Sequence, residues 1–178
     1  TQKIFNRPQD TWLSIIGCIA DAYIPDSAEK FAKEYPDLLE NCSDPLTALQ
    51  TTSIGKIARK LNFGLMDTTT NILKLIRYLD KATSPYDILE ENPQTAQFHK
   101  RSNQLEEFFQ RQIQKAESEA DKNSNLIFFS YSGNTSMSSE IANHLAFRHK
   151  DKIIVVAFIR PEKVNISIRG KNALEITK

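Results

Sequence analysis

The chain has 178 residues, and its 23 Lys and Arg residues nearly balance 22 Asp and Glu residues, giving a formal net charge of +1. This length is enough for one domain or two small domains with a real core. The overall charge predicts no partner, so any nucleic-acid surface has to be a local patch. Cys18 and Cys42 are too few for a disulfide framework, which fits a reducing cytoplasm. With no long apolar run and no signal peptide, no membrane association is expected.

The first informative segment is an apolar helix. Asp10 is a suitable N-cap residue, and the apolar spacing predicts a helix over Thr11–Ala22, in which Gly17 leaves room for another element to pack closely. Asp21 lies near the end of this helix, where the helix dipole disfavours a carboxylate. From the residues alone, Asp21 is either an exposed residue that ends a buried helix, which is the commoner case, or a metal ligand or general base.

The middle of the chain is predicted to be helical. A short helix over Ser27–Leu39 is interrupted at Pro36. Asp44 followed by Pro45 is typical of a helix start, and this helix is expected to run to about Leu61. The next helix is capped by Asp67 or Thr68, and its predicted inner face comprises Ile72, Leu73, Ile76 and Leu79.

Two more helical signals precede the clearest linker, which is the polar stretch 121–125. Ser84 and Pro85 repeat the cap-and-proline pattern before Tyr86–Glu91. A long, highly charged helix is predicted from Phe98 to about Asp121. Its inner stripe comprises Leu105, Phe108, Phe109, Gln112, Ile113 and Ala116.

The C-terminal third reads as strand, helix, strand. Leu126–Phe129 is a short strand-forming run, and a turn at Gly133–Thr135 leads into a helix for which Ser138 is a plausible N-cap. Ile153–Phe158 is apolar without alternation, so it is predicted to be a strand covered on both faces. The fold class is therefore α/β, with a helical N-terminal part and connector followed by a small βαβ-plus-hairpin C-terminal domain.

The third run, Lys163–Arg169, alternates between two kinds of side chain. A turn at 160–162 predicts that this strand returns antiparallel. One face carries Val164, Ile166 and Ile168, and the other carries Lys163, Asn165, Ser167 and Arg169. The polar face is either an ordinary solvated face, which the pattern alone favours, or a phosphate-binding face, since the guanidinium is a planar fork suited to phosphate.

Few other residues carry chemistry. His99, His144 and His149 lack the spacing of a helical metal pair, and the last two are most simply surface residues of a helix. The turn SGNTSMSS leads into a helix N-terminus and is rich in hydroxyls and backbone N–H groups. It is a reasonable anion site of low specificity.

Several of these segments, taken in order, resemble one protein family. The segment WLSIIGCIADAYIPDSAEKFAKEYPD resembles the end of the catalytic domain of DHH-family phosphoesterases, in the group of archaeal RecJ-like single-strand exonucleases. The later segments SYSG, SSEIANHL and SIRG are similar to the DHH-associated C-terminal domain of the same enzymes. The resemblance covers nearly the whole chain, and it depends on the order and spacing of the motifs rather than on any single one.

The resemblance implies a domain division and a set of site residues. Residues 1–40 would be the end of a DHH domain, 41–120 a helical connector and 121–178 an incomplete substrate-binding domain. Asp21 of GCIAD falls on the last metal-ligand motif of the DHH domain, which favours its functional role. Arg169 and Asn143 match positions that face the nucleic-acid substrate. Weaker candidates for substrate binding are Ser138, Ser167 and Gly170.

The chain also departs from the family pattern. It contains no early Asp-x-Asp, no Asp-His-His and no glycine-rich GGGH segment after SIRG. A dinuclear Mn²⁺ or Mg²⁺ centre needs several ligands, and Asp21 is one. The resemblance therefore implies a fragment, or a separately encoded half, of a phosphodiesterase that hydrolyses single-stranded DNA or RNA, with a partner chain or upstream segment supplying the other motifs.

Two alternatives stay open. Some DHH relatives have lost their metal sites and serve as scaffold subunits of replication or repair assemblies, and a lone Asp21 suits that role. A small-substrate enzyme acting on short oligonucleotides or cyclic dinucleotides is a third possibility, although the RecJ-like connector speaks weakly against it.

Overall fold

The computed structural model describes residues 10–40, 42, 44–121 and 123–171. The chain divides into two compact units, Thr1–Glu106 and Glu107–Lys178, and the boundary falls within one long helix. The predicted α/β class is confirmed, because helices come first and a small sheet follows them. The division at residues 40 and 120 stays a prediction. No helix among the described residues is both long and apolar enough to span a bilayer.

The first unit is helical. Its elements are α1 (Thr11–Ala20), α2 (Ala28–Glu34), α3 (Pro45–Thr51), α4 (Ser53–Gly64), α5 (Thr69–Leu79) and a 3₁₀ turn at Pro85–Ile88. The long helix α6 (Ala96–Glu119) begins in this unit and continues into the second. The largest buried side chains of the first unit include Phe31, Phe63, Ile15, Ile19, Ile54, Ile57 and Ile88.

Helix α1 ends two residues earlier than predicted, in a Schellman turn. The Ala22 N–H donates to the Ile19 carbonyl at 3.0 Å, and the Tyr23 N–H donates to the Cys18 carbonyl at 2.9 Å. Ala22 has φ 51°, the left-handed conformation that favours glycine. At the other end of α1, Asp10 occupies the N-cap position, but its side chain makes no capping hydrogen bond.

The single helix predicted from Pro45 to Leu61 is two helices. Asp44 caps α3 as expected, since its carboxylate accepts the Thr47 N–H at 2.8 Å. Thr52 is then extended, and its hydroxyl caps α4 by accepting the Gly55 N–H at 3.2 Å. Thr and Ser compete with the helix for backbone hydrogen bonds and favour caps, which explains the break at Thr51-Thr52-Ser53.

The predicted inner face of α5 is wrong in part. Leu75 is the residue of this helix that is buried, whereas Leu73 and Ile76 are 48% and 49% exposed. The stripe predicted for α6 is largely right, because Leu105, Phe109, Ile113 and Ala116 are all buried.

The second unit contains the C-terminal part of α6, β1 (Leu126–Ser132), α7 (Ser138–Arg148), β2 (Ile153–Ile159) and β3 (Val164–Arg169). The described sheet has the order β1-β2-β3. β1 pairs with β2 in parallel and β3 pairs with β2 antiparallel, so the predicted βαβ unit and antiparallel return are confirmed. Ile127, Phe129, Ile154, Val156, Ile141 and Leu145 are buried between the sheet and its helices.

Two predictions for this sheet are wrong. β2 is not covered on both faces, because Ile153 and Val155 are half-buried and Ile159 is 46% exposed. The second wrong prediction is that the polar face of β3 is the solvated one, because it is the apolar face that is exposed. Ser167 and Arg169 bond to α7, while Val164 and Ile166 are more than half exposed.

Candidate anion-binding site

Arg169 at the end of β3 is the centre of a polar cluster on α7. Its Nε donates to Asn143 Oδ1 at 2.7 Å, and its Nη2 donates to Ser139 Oγ at 2.9 Å. Ser139 and Asn143 are four residues apart, so they lie one above the other on the helix. A third bond, from Nη1 to the Ile168 carbonyl at 2.8 Å, fixes the guanidinium against its own strand.

A second contact joins β3 to the start of α7. The hydroxyls of Ser167 and Ser138 are 3.0 Å apart, and Ser138 is buried. Met137 is the N-cap residue of α7, and its side chain makes no capping hydrogen bond. Backbone N–H groups in the first turn of a helix lack partners within the helix and attract anions. The structure therefore brings together Ser138, Asn143, Ser167 and Arg169, four of the predicted site residues, beside a helix start.

The charge of Arg169 is not neutralised within the described chain. Its hydrogen-bond acceptors are an amide, a hydroxyl and a backbone carbonyl, and no Asp or Glu of the described residues pairs with it. A guanidinium has five N–H donors, and these three contacts use three of them. Two donors and the full positive charge remain for a ligand, and phosphate is the anion that matches the planar fork.

Gly170, the fifth predicted substrate-binding residue, has a backbone role. Its φ is +133°, and a Cβ at this position would lie 3.0 Å from the Lys152 carbonyl oxygen and 3.2 Å from Ile153 Cα. Only glycine fits such a close approach at positive φ. It ends β3 directly after Arg169 and so determines where the strand bearing the guanidinium stops.

Tyr131 is a residue that the sequence reasoning missed. Its hydroxyl accepts the buried Met137 N–H at 2.6 Å, which fastens the turn before α7 to β1. Burial raises the pKa of this phenol, so it stays protonated at neutral pH. The alternating burial of β1 places Tyr131 on the covered face with Ile127 and Phe129. The two-residue spacing of these three side chains in the sequence could have identified Tyr131 as a buried residue.

Asp21 lies in the first unit, exposed at the C-cap of α1. Its backbone N–H bonds to the Gly17 carbonyl, and its carboxylate has no partner in the part of the chain that the structure describes. Gly17, one turn earlier on the helix, is exposed, and a Cβ there would meet nothing within 4 Å. The expectation that another element packs on Gly17 is therefore not met by the described chain.

No metal centre forms among the described residues, since they contain no group of three His, Cys, Asp or Glu side chains placed to hold an ion. Asp21 alone does not fit a manganese or magnesium centre, and the expected metal depends on ligands from elsewhere. The histidines have other contacts. His99 is buried against the Glu90 carbonyl, and His149 Nε2 lies 2.9 Å from Glu117 Oε2.

His144 packs edge-on against the Phe109 ring, with ring centroids 5.7 Å apart, so neither it nor His149 is the simple surface residue that was predicted. Both histidines instead join α7 to the part of α6 that belongs to the second unit.

Comparison with known proteins finds no matching family model, no matching curated protein and no matching solved structure.

Proposed function

We propose that this chain is the strand-binding part of a DHH-type phosphodiesterase and that Arg169 binds a backbone phosphate of single-stranded DNA or RNA. The observation that carries the proposal is the half-buried guanidinium of Arg169, oriented by three neutral acceptors without a neutralising carboxylate among the described residues. A guanidinium that is held in one orientation and still partly exposed presents its charge and its remaining N–H donors to an anion from solution. In the complex, a backbone phosphate would be that anion.

The neighbouring groups suit the same ligand. The hydroxyl of Ser139 lies beside the guanidinium, and the N-cap residue of α7, Met137, has no side-chain oxygen to cap the helix start. Asn143 holds the guanidinium in place and has an amide N–H₂ that can donate to a sugar or base oxygen. The choice of a single strand as substrate rests on the family resemblance, and the geometry supports phosphate binding as such.

The binding proposal is tested with a fluorescein-labelled 20-nucleotide single strand, whose affinity is measured by fluorescence anisotropy over a series of salt concentrations. Arg169→Ala is expected to weaken binding by about tenfold and to reduce the slope of log K against log salt by about 1. Arg77→Ala, on the exposed side of α5, is the matched control. Equal affinity and equal slope in the Arg169 variant would exclude the phosphate contact.

The hydrolytic part of the proposal needs ligands from outside this chain. We propose that Asp21 joins a metal centre completed by an upstream segment or partner chain. The labelled strand is incubated with Mn²⁺ and the chain, alone and with each protein that copurifies with it. Hydrolysis that appears with the partner and is abolished by Asp21→Ala, with folding intact, supports the split enzyme. Full activity of Asp21→Ala removes Asp21 from the site.

A non-catalytic scaffold is the second candidate function. It is favoured by the lack of any metal-binding group among the described residues. Arg169-dependent strand binding together with no hydrolysis in any combination of chain, partner and Mn²⁺ supports the scaffold. The cytoplasmic location stays a prediction under both proposals.

A further inference from the structure

Arg160, directly after β2, is a second arginine whose contacts within the described chain are neutral. Its Cζ lies 5.0 Å from the centre of the Phe158 ring, and its Nη2 donates to the Asn134 carbonyl at 3.4 Å. No Asp or Glu of the described residues pairs with it, although Glu162 belongs to the same turn. Arg160 therefore resembles Arg169, because both guanidiniums are held by uncharged groups and keep their charge for an anion.

Arg160 and Arg169 lie on the same side of the sheet, the side that α7 covers. Residues two apart on a strand share a face, so Arg160 shares its face with Phe158, which is fully buried. Arg169 shares its face with Ser167, whose hydroxyl is 3.0 Å from that of Ser138 on α7. One ligand on this side of the sheet can therefore meet both arginines.

The register of β2 and β3 gives the separation of the two arginines. Arg169 is paired with Ile154, and Arg160 is six positions further along the chain than Ile154. Their backbone positions are therefore about 20 Å apart along the strands. A stretched single strand of nucleic acid covers this distance with about four nucleotides, a length that suits a small single-strand site.

Asn165 lies between the two arginines on the same face of β3. It is half-buried, and its register partner on β2 is Phe158. Its side-chain amide makes no hydrogen bond within the described chain, so its N–H₂ can donate to a phosphate or sugar oxygen. The residues Arg160, Asn165, Ser167 and Arg169, together with Ser139 and Asn143 of α7, are called the polar seam below.

We propose that a single strand lies along the polar seam over about four nucleotides, with one phosphate on Arg169 and another on Arg160, and that the seam recognises the backbone and not the bases. This inference rests on the proposed function of Arg169 and adds a second contact and a path. The aromatic rings that the strands place on this face, Phe129, Tyr131 and Phe158, are all buried. They cannot stack on bases, so the affinity comes from the phosphates.

The second contact is tested on the whole chain with fluorescein-labelled thymidine strands of two and six nucleotides, by fluorescence anisotropy over a series of salt concentrations. Arg160→Ala is expected to weaken the six-nucleotide strand about five- to tenfold and to reduce its salt slope by about 0.7. The two-nucleotide strand is too short to reach both arginines. Its affinity should therefore change by no more than about twofold in Arg160→Ala.

Two further variants make the comparison specific. Arg111→Ala removes the same charge from an exposed position on α6 in the same unit, and it should bind both strands like the wild type. Arg160→Gln keeps an N–H donor for the Asn134 carbonyl, so it replaces Arg160→Ala if that variant unfolds.

The backbone readout is tested with six-nucleotide strands of thymidine, of adenosine and of abasic sites. Since the bases make no contact in this arrangement, the three affinities should agree within about threefold. A preference of more than about tenfold for one base, or loss of binding to the abasic strand, would overturn recognition of the backbone alone.

The outcomes separate this inference from the proposed function. Wild-type affinity of Arg160→Ala for the six-nucleotide strand, while Arg169→Ala stays weak, would overturn the second contact and leave the proposed function intact. Wild-type affinity in both variants would remove both. Equal losses for the two- and six-nucleotide strands, or an equal loss in Arg111→Ala, would show that Arg160 acts only through the general positive field.

Discussion

Arg169 Nε donates to Asn143 Oδ1 across 2.7 Å, and this bond joins residues 26 positions apart, one on β3 and one on α7. An amide oxygen orients the guanidinium but leaves its charge in place. The residue at position 143 therefore determines whether the cluster is cationic or neutral. Asn143→Asp replaces one nitrogen by oxygen, so it is expected to change anion binding while the protein still folds.

Asn143→Asp is expected to weaken single-strand binding by about tenfold, because the new carboxylate pairs with Arg169 and competes with phosphate. The same ion pair should leave thermal stability equal or higher. Asn143→Ala removes the acceptor without adding charge and should lose less affinity. The measurements are fluorescence anisotropy at low salt and thermal unfolding. Wild-type affinity in Asn143→Asp would contradict a phosphate contact at Arg169.

Tyr131→Phe is expected to lower the free energy of unfolding by about 1–3 kcal/mol, because it leaves the buried Met137 N–H without an acceptor. Urea unfolding measures the loss. Tyr86→Phe is the control, since the Tyr86 hydroxyl donates to Asp37 at the surface and its removal should matter much less. Equal effects of the two changes would show that the Tyr131 bond is not a special support of the turn before α7.

Two glycine-to-alanine changes in the first unit are expected to act in opposite directions. Gly17→Ala should raise stability by about 0.5–1 kcal/mol, because the position is helical and a Cβ meets nothing within 4 Å. Gly55→Ala should lower stability by about 1–3 kcal/mol, because a Cβ there would collide with the backbone carbonyl oxygens of Leu49 and Ala48. The two midpoints in urea test this, and shifts of the same sign would show that the close contact of α3 and α4 is wrongly described.

Ala22→Gly is expected to raise stability by about 0.5–1 kcal/mol, because it relieves a left-handed alanine at the end of α1. Ala20→Gly, two residues earlier and within the helix, should lower stability and serves as the control. Thermal unfolding of both variants provides the comparison. A loss of stability in Ala22→Gly would mean that α1 does not end in the Schellman turn that places Asp21.

His99 should make the folded protein sensitive to acid. Burial, assisted by the nearby Lys60 charge, lowers the pKa of His99, against opposing contributions from the Glu90 carbonyl and Glu91. Below about pH 6.5 the unfolded chain therefore binds this proton more readily than the folded protein, and stability falls as the pH falls. Above that range His99 contributes its full stability.

The test for His99 is urea unfolding at several pH values between about 5 and 8. His99→Gln keeps an N–H for the Glu90 carbonyl and should flatten the pH dependence relative to the wild type. His144 and His149 are present in both proteins, so the difference between the two curves isolates His99. Parallel curves would contradict a depressed pKa at this residue.

Local signals predicted most of the elements but not which faces are covered. The cap at Asp44, the turn before α7 and the alternation of β3 are encoded by adjacent residues, and each appears in the structure. The break at Thr52 was missed because apolar spacing continues across it into α4. Arg169, Asn143, Ser138 and Ser167, each predicted to bind substrate, lie together in the structure, and their role in binding stays a prediction. The ligand of these residues, however, also depends on groups outside this chain, and the spacing of residues within the chain does not reveal those groups.

The two strands that flank β2 each have one side without a neighbour in the described sheet. Unpaired edge strands beside exposed apolar side chains are a template for aggregation, because strands of other molecules can pair with them edge to edge. We therefore expect the cellular amount of this polypeptide to depend more on the supply of a partner that covers the edges of β1 and β3 than on the melting temperature of the isolated chain.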